Sequence, residues 1–174
     1  MIEEHISTEM NGVFKAVSEA GGDMRKVAPS GFPVLNMLNT RYFIFPLQGG
    51  KTVPIQNPYT LGNAWFVNEV QYVDNANEEI DALHRIDPAK TAVVDKKFSA
   101  EVKSAAETDT LGTIKLTAYE PNDLKYEVNS KTGGTVVFSE IYYPGWQAYI
   151  DGVEAPHGRA DYILRAMNVR PESM

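Results

Sequence analysis

Cysteine is absent from this 174-residue chain. That excludes disulfide scaffolds and thiolate metal sites, but it leaves the compartment open, since exported proteins without cysteine are common. Long apolar runs are missing too. The longest are stubs such as Tyr42-Phe43-Ile44-Phe45 and Ala64-Trp65-Phe66-Val67, far short of the ~18–20 residues that span a bilayer. The opening Met1-Ile2-Glu3-Glu4-His5 lacks the basic start and apolar centre of a signal peptide. Positive charge is scarce: 16 basic residues against 23 acidic ones leave a net charge of −7. This balance argues against nucleic acid, whose binding rests on Lys and Arg neutralising phosphates, and against an anionic membrane surface. What is present, 43% hydrophobic and 22% charged residues, is ordinary globular usage in a chain long enough to bury its own core.

The first forty residues read as helical. Ile6, Met10, Val13 and Val17 recur at three- and four-residue steps, the apolar face of a helix, and Gly21-Gly22 supplies its stop. Pro33 suits the first position of a second, short helix through Leu35 and Leu38, where its missing N–H is harmless. Segment 41–45 then reads as a buried strand, and 46–58, with three prolines and two glycines, as a surface loop. Segment 64–73 reads as strand with a register change midway. Asn75-Ala76-Asn77-Glu78 is a capping-box pattern, opening a helix with Ile80 and Leu83 inward and Glu78, Glu79 and Asp81 on a solvated face.

From Thr91 the pattern is strand after strand: 91–94, 97–104, 112–119, 125–129, 135–143, 147–150 and 162–169. Thr132-Gly133-Gly134 and Asp151-Gly152 read as hairpin links, the second with the two positive-φ residues of a type I′ turn. The expected fold is α+β: mainly an antiparallel β-sandwich of jelly-roll or galactose-binding type, with one or two short N-terminal helices. A helical segment 1–40 packs on a β-rich sandwich 41–171, and together they form one domain.

No catalytic pattern stands out. Gly49-Gly50-Lys51-Thr52 resembles a phosphate-binding loop only superficially, because Phe45 stands where its first glycine belongs and Val53-Pro54-Ile55 forbids the helix that must follow. His5, His84 and His157 are scattered and offer no zinc spacing. Asp74, Asn75 and Asn77 lack the glycine and spacing of a calcium loop. There is no Gly-x-Ser-x-Gly elbow, and the nearest approach to an Asp-x-Asp pair is Glu107-Thr108-Asp109. The sequence assigns no catalytic residue, metal ligand or cofactor.

The most distinctive stretch is Tyr142-Tyr143-Pro144-Gly145-Trp146-Gln147-Ala148-Tyr149. Large aromatics most often fill cores; exposed beside polar groups, they can stack on sugar rings. In the second case Tyr143, Trp146 and Tyr149 form the platform, with Asp151 or Asn168 as polar partners.

The blocks Ser139–Gly152 and Ala160–Val169, preceded by Val34–Ile44 and by Asn57-Pro58 with Leu61–Val67, occur in an order and spacing that resembles the C-terminal extracytoplasmic region of bacterial YfhO-type membrane proteins. That resemblance covers nearly the whole chain. It implies a non-catalytic domain on the extracytoplasmic face of a bacterial membrane, belonging to a polytopic glycosyltransferase-like protein whose membrane-embedded remainder is its partner and whose catalytic acids lie elsewhere. Cell-envelope glycan is the implied ligand. A structural or protein-interaction module and a free-standing carbohydrate-active enzyme are the alternatives. Relatives of this type continue beyond the Val-x-Pro segment with a further strand, whereas this chain stops at Met174. An unpaired strand edge, and hence an edge-strand dimer, is the expectation.

Overall fold

The computed structural model describes residues 2–105, 109 and 111–171. The pair Glu107-Thr108 lies outside them. The chain divides into two compact units, Met1–Leu61 and Gly62–Met174.

In the first unit, helix α1 (Ile2–Glu19) buries Val13 and Val17. Gly21 and Gly22, with φ of 68° and 85°, end it, and the Gly22 N–H returns to the Val17 carbonyl at 2.9 Å. Helix α2 (Pro33–Met37) begins on its proline as the sequence predicts. Strands β1 (Tyr42–Pro46) and β2 (Thr52–Gln56) form an antiparallel hairpin with Tyr42 opposite Gln56. Residues 52–56 are therefore strand, not the loop that their prolines suggest. Pro54 is tolerated because, among the described residues, no strand pairs with β2 on its outer side, so no ladder bond needs its missing N–H. Strand β1 is buried on one face rather than both: Phe43 and Phe45 point inward, Tyr42 and Ile44 outward. Phe45 meets Phe14 edge-to-face at 4.7 Å and Phe43 meets Phe32 at 6.2 Å, the aromatic centre of this core.

The second unit begins with β3 (Ala64–Val67) and β4 (Glu69–Val73), broken at Asn68, whose N–H donates to the Lys90 carbonyl at 2.7 Å. Helix α3 (Ala76–Ala82) follows, then β5 (Thr91–Asp95). The crossover makes β4 and β5 parallel neighbours, as strands joined through a helix can be. Beyond them come β6 (Thr113–Glu120), β7 (Asp123–Asn129), β8 (Gly134–Ile141), β9 (Ala148–Ile150), β10 (Val153–Ala155), β11 (Gly158–Ala160) and β12 (Leu164–Val169). The main sheet runs β11-β12-β8-β3, antiparallel throughout. The β6–β7 ribbon lays Tyr126 edge-to-face on Phe138 of β8 at 4.9 Å, giving two β-layers with side chains between them. The fold is α+β and mainly antiparallel β, sandwich-like, as expected.

Helix α3 is capped as its sequence pattern requires. Asn75 Oδ1 accepts from the N–H groups of Asn77 and Glu78, while Glu78 reaches back to the Asp74 N–H and the Asn75 amide. Two expectations need correction. Residues 97–104 are not a strand: Asp95 accepts from the Lys97 N–H and starts a 3₁₀ turn, Lys96–Phe98. Nor is Thr132-Gly133-Gly134 a hairpin link, because β7 pairs with β6 and β8 pairs with β12 and β3. The link carries the chain from one layer to the other. Gly133 makes this possible, with φ 71° and a backbone so close to Val169 that a Cβ would lie 2.4 Å from the carbonyl oxygen.

Candidate functional site

Strand β8 ends at Ile141, and the Tyr142 N–H then donates to the Ile163 carbonyl at 2.7 Å. Pro144-Gly145 bends the chain, with Gly145 at φ 98°, and the β9–β10 hairpin projects beyond. Its turn is Asp151-Gly152 at φ 52° and 79°, the two left-handed residues that a type I′ turn needs. Tyr143 and Tyr149 are 68% and 57% exposed. The Tyr149 hydroxyl donates to Gln147 Oε1 at 3.0 Å. Its cross-strand neighbour is Glu154, also exposed.

Trp146 is half-buried. The Arg165 guanidinium lies over its ring, 4.2 Å from the centroid, within the range of a cation–π contact. A register shift between Leu164 and Arg165 re-aims that side chain, and its Nε donates to the Ile141 carbonyl at 3.0 Å. Burial pulls the Arg165 pKa below its usual value, against the opposing charge of Glu140. His157, which faces Tyr142 at 6.0 Å between ring centres, is also lowered, first by burial and then by Arg165.

Of the residues singled out from the sequence, Tyr143, Trp146, Tyr149 and Asp151 fall in this one continuous segment, Asp151 exposed at the hairpin turn. Asn168 does not join them. Leu164 stands opposite Ile141 but Asn168 opposite Thr135, about 13 Å further along β12 at the usual rise per residue. Its side chain is fully used there: Nδ2 donates to the Lys103 carbonyl and to Thr135 Oγ1, and Oδ1 accepts from the Lys103 N–H.

A second group of polar residues escapes the sequence reading. Glu79 is not on a solvated face; it is completely enclosed. Arg159 Nη2 donates to its Oε2 at 2.5 Å, and Asp95 Oδ2 lies 3.8 Å from the same nitrogen. Burial pushes the Glu79 pKa up, and the Arg159 charge pulls it back. The Arg159 guanidinium also lies 5.7 Å from the Phe98 ring centre and 5.6 Å from that of Tyr162. Beside this pair is Asp161, equally enclosed. Its N–H donates to the Val93 carbonyl, and its Oδ1 accepts from the Val93 N–H, both at 2.8 Å. The four-residue step from Glu79 to Leu83 was a legible sign that Glu79 turns inward; nothing local marks Asp161.

No family model, curated protein or solved structure matches this chain. Its chemistry is therefore argued from its own side chains. Glu79 and Asp161 of the second group are enclosed from solvent. Among the described residues no three His, Asp or Glu side chains are grouped to hold a metal ion, and no helix is long and apolar enough to cross a membrane. The exposed rings of the first group can stack on a flat ligand, with Asp151, Glu154 and Gln147 near at hand in the hairpin to meet hydroxyl groups.

Proposed function

We propose that the chain is a non-catalytic accessory domain that contacts cell-envelope saccharide through the segment Tyr143–Asp151. The observation that carries this reading is the Arg165–Trp146 stack, flanked in sequence by two largely exposed tyrosines. An indole pinned on one face by a guanidinium is pre-organised, which lowers the entropy lost when a ring stacks against it. The resemblance to the extracytoplasmic region of YfhO-type proteins supplies the setting: the outer side of a bacterial membrane, with the membrane-embedded remainder of a glycosyltransferase-like chain as partner.

Titration with neutral oligosaccharides of cell-wall type, followed by the amide shifts of residues 142–154, tests the proposal. Saturable shifts that vanish in Trp146→Ala and Tyr149→Ala support it. Unchanged shifts at millimolar saccharide favour a structural or protein-interaction module instead, a reading supported by the complete internal use of Asn168. The same proposal keeps a second copy of the chain as a partner through an outer strand edge. The edges available in the main sheet are β3 and β11, since β12 is flanked on both sides. Sedimentation at rising concentration reads this out, and a constant monomer mass removes the dimer.

A further inference from the structure

The turn between β11 and β12 is unusual in three respects at once. Asp161 and Tyr162 both have positive φ, 50° and 72°, a conformation that side-chain-bearing residues rarely adopt. Asp161 is fully buried. Its Oδ2 has no hydrogen-bond partner among the described residues, although an ionised carboxylate in such a place needs compensation on both oxygens.

What holds this strained turn down is its grip on β5, together with the Tyr162 N–H, which donates to the Glu79 carboxylate of α3. The N–H and carbonyl of Val93 point away from β4 and would be bare, and Asp161 answers both, one with its backbone and one with its side chain. The charged groups around it are few. Glu79 from α3 acts on it as a like charge; Arg159 from β11 is committed to Glu79; Asp95 at the end of β5 is paired with Lys97. Among the described residues no cation pairs with Asp161.

We infer that the turn Asp161-Tyr162-Ile163 is a proton-operated latch, seated on β5 while the Asp161 carboxyl is neutral and released when that carboxyl ionises. In the seated state the proton removes the charge that Oδ2 has no means to balance. Losing it places an uncompensated anion beside Glu79 in a dry site, and the strain at residues 161 and 162 then favours opening. The effect passes outward, because the Ile163 carbonyl accepts from the Tyr142 N–H at 2.7 Å, and Tyr142 heads the exposed aromatic segment. The latch operates whether or not that segment binds saccharide.

The quantities agree. Burial raises the Asp161 pKa to about 7, with Glu79 adding to the shift and the Val93 N–H opposing it. For an open state titrating at the ordinary carboxylate value, the opening constant rises about thirtyfold between about pH 5.5 and 8.5. Amide exchange of Val93, corrected for the intrinsic rate, measures this in the full chain. The wild type is expected to lose protection by that factor, while Asp161→Asn, which keeps the acceptor for the Val93 N–H, stays flat. Glu79→Gln is expected to keep the transition and move it to lower pH. An equal loss in Asp161→Asn, or a transition abolished by Glu79→Gln, would overturn the latch. Should Asp161→Asn fail to fold, carboxyl-carbon NMR of the wild type decides alone: titration near pH 7 supports the latch, and titration below about pH 5 refutes it.

Discussion

Glu9 on α1 caps a helix 26 residues further along the chain: its Oε2 accepts from the Leu35 N–H at 2.9 Å and its Oε1 from the Val34 N–H at 3.1 Å. These are second- and third-position donors of α2, which that helix cannot satisfy itself. Glu9→Ala is expected to lower the unfolding free energy of the first unit by about 2 kcal/mol, by orphaning two buried donors. Glu9→Gln, which retains one acceptor, costs less. Burial raises the Glu9 pKa, against the pull of the two N–H groups. A raised carboxyl pKa means stability that is full below the unfolded value and declines as pH rises through the folded one. Urea midpoints taken across this range should therefore fall in the wild type and hold in Glu9→Gln.

Gly133→Ala should be among the most damaging single changes in the second unit. The alanine would have to hold φ near 71° with its methyl 2.4 Å from the Val169 carbonyl oxygen. The conformational and steric costs together come to about 2–4 kcal/mol. Gly152→Ala is the control, with φ 79° and nothing within 4 Å of the added carbon; it should cost roughly 1 kcal/mol. Equal losses of thermal stability in the two variants would contradict the close approach.

Removing Arg159 leaves Glu79 charged and enclosed without its partner. Arg159→Met is expected to cost about 3–5 kcal/mol near neutral pH. Without the guanidinium the Glu79 pKa rises further, so the loss should shrink as pH falls and the carboxyl takes a proton. The double variant Arg159→Met with Glu79→Gln should recover part of the stability. A purely additive pair would show that the two side chains do not interact.

Tyr126 carries a buried hydroxyl with no hydrogen-bond partner among the described residues. Burial, aided by Glu140, raises its pKa to about 12. Absorbance titration should find one tyrosine ionising well after the exposed ones. Tyr126→Phe keeps the ring contact with Phe138 and removes the stranded hydroxyl, so its stability should equal or slightly exceed that of the wild type.

Much of the fold could be read from local signals. The apolar steps of α1, the proline start of α2, the Asn75 cap and the Asp151-Gly152 turn each state a conformation that nearby atoms enforce. The failures have two causes: a partner elsewhere in the chain overrides the local preference, or a cap two residues away turns the chain. Residues 52–56 become strand because β1 is beside them; residues 97–104 turn because Asp95 offers a cap; Glu79 goes inward because Arg159, 80 residues on, is there to meet it. The aromatic segment announced itself by composition. The arginine that pins Trp146 did not, since only the register shift in β12 brings it there.

The grip of Asp161 on Val93 has one more consequence. A strand with bare amides along one side is a template on which a stray chain can add itself, the first step of sheet-to-sheet aggregation. At Val93 the protein stops that side of β5 with a single residue, whose carboxyl stands in for the carbonyl of a neighbouring strand. A turn thus plugs the place where another molecule could begin to pair.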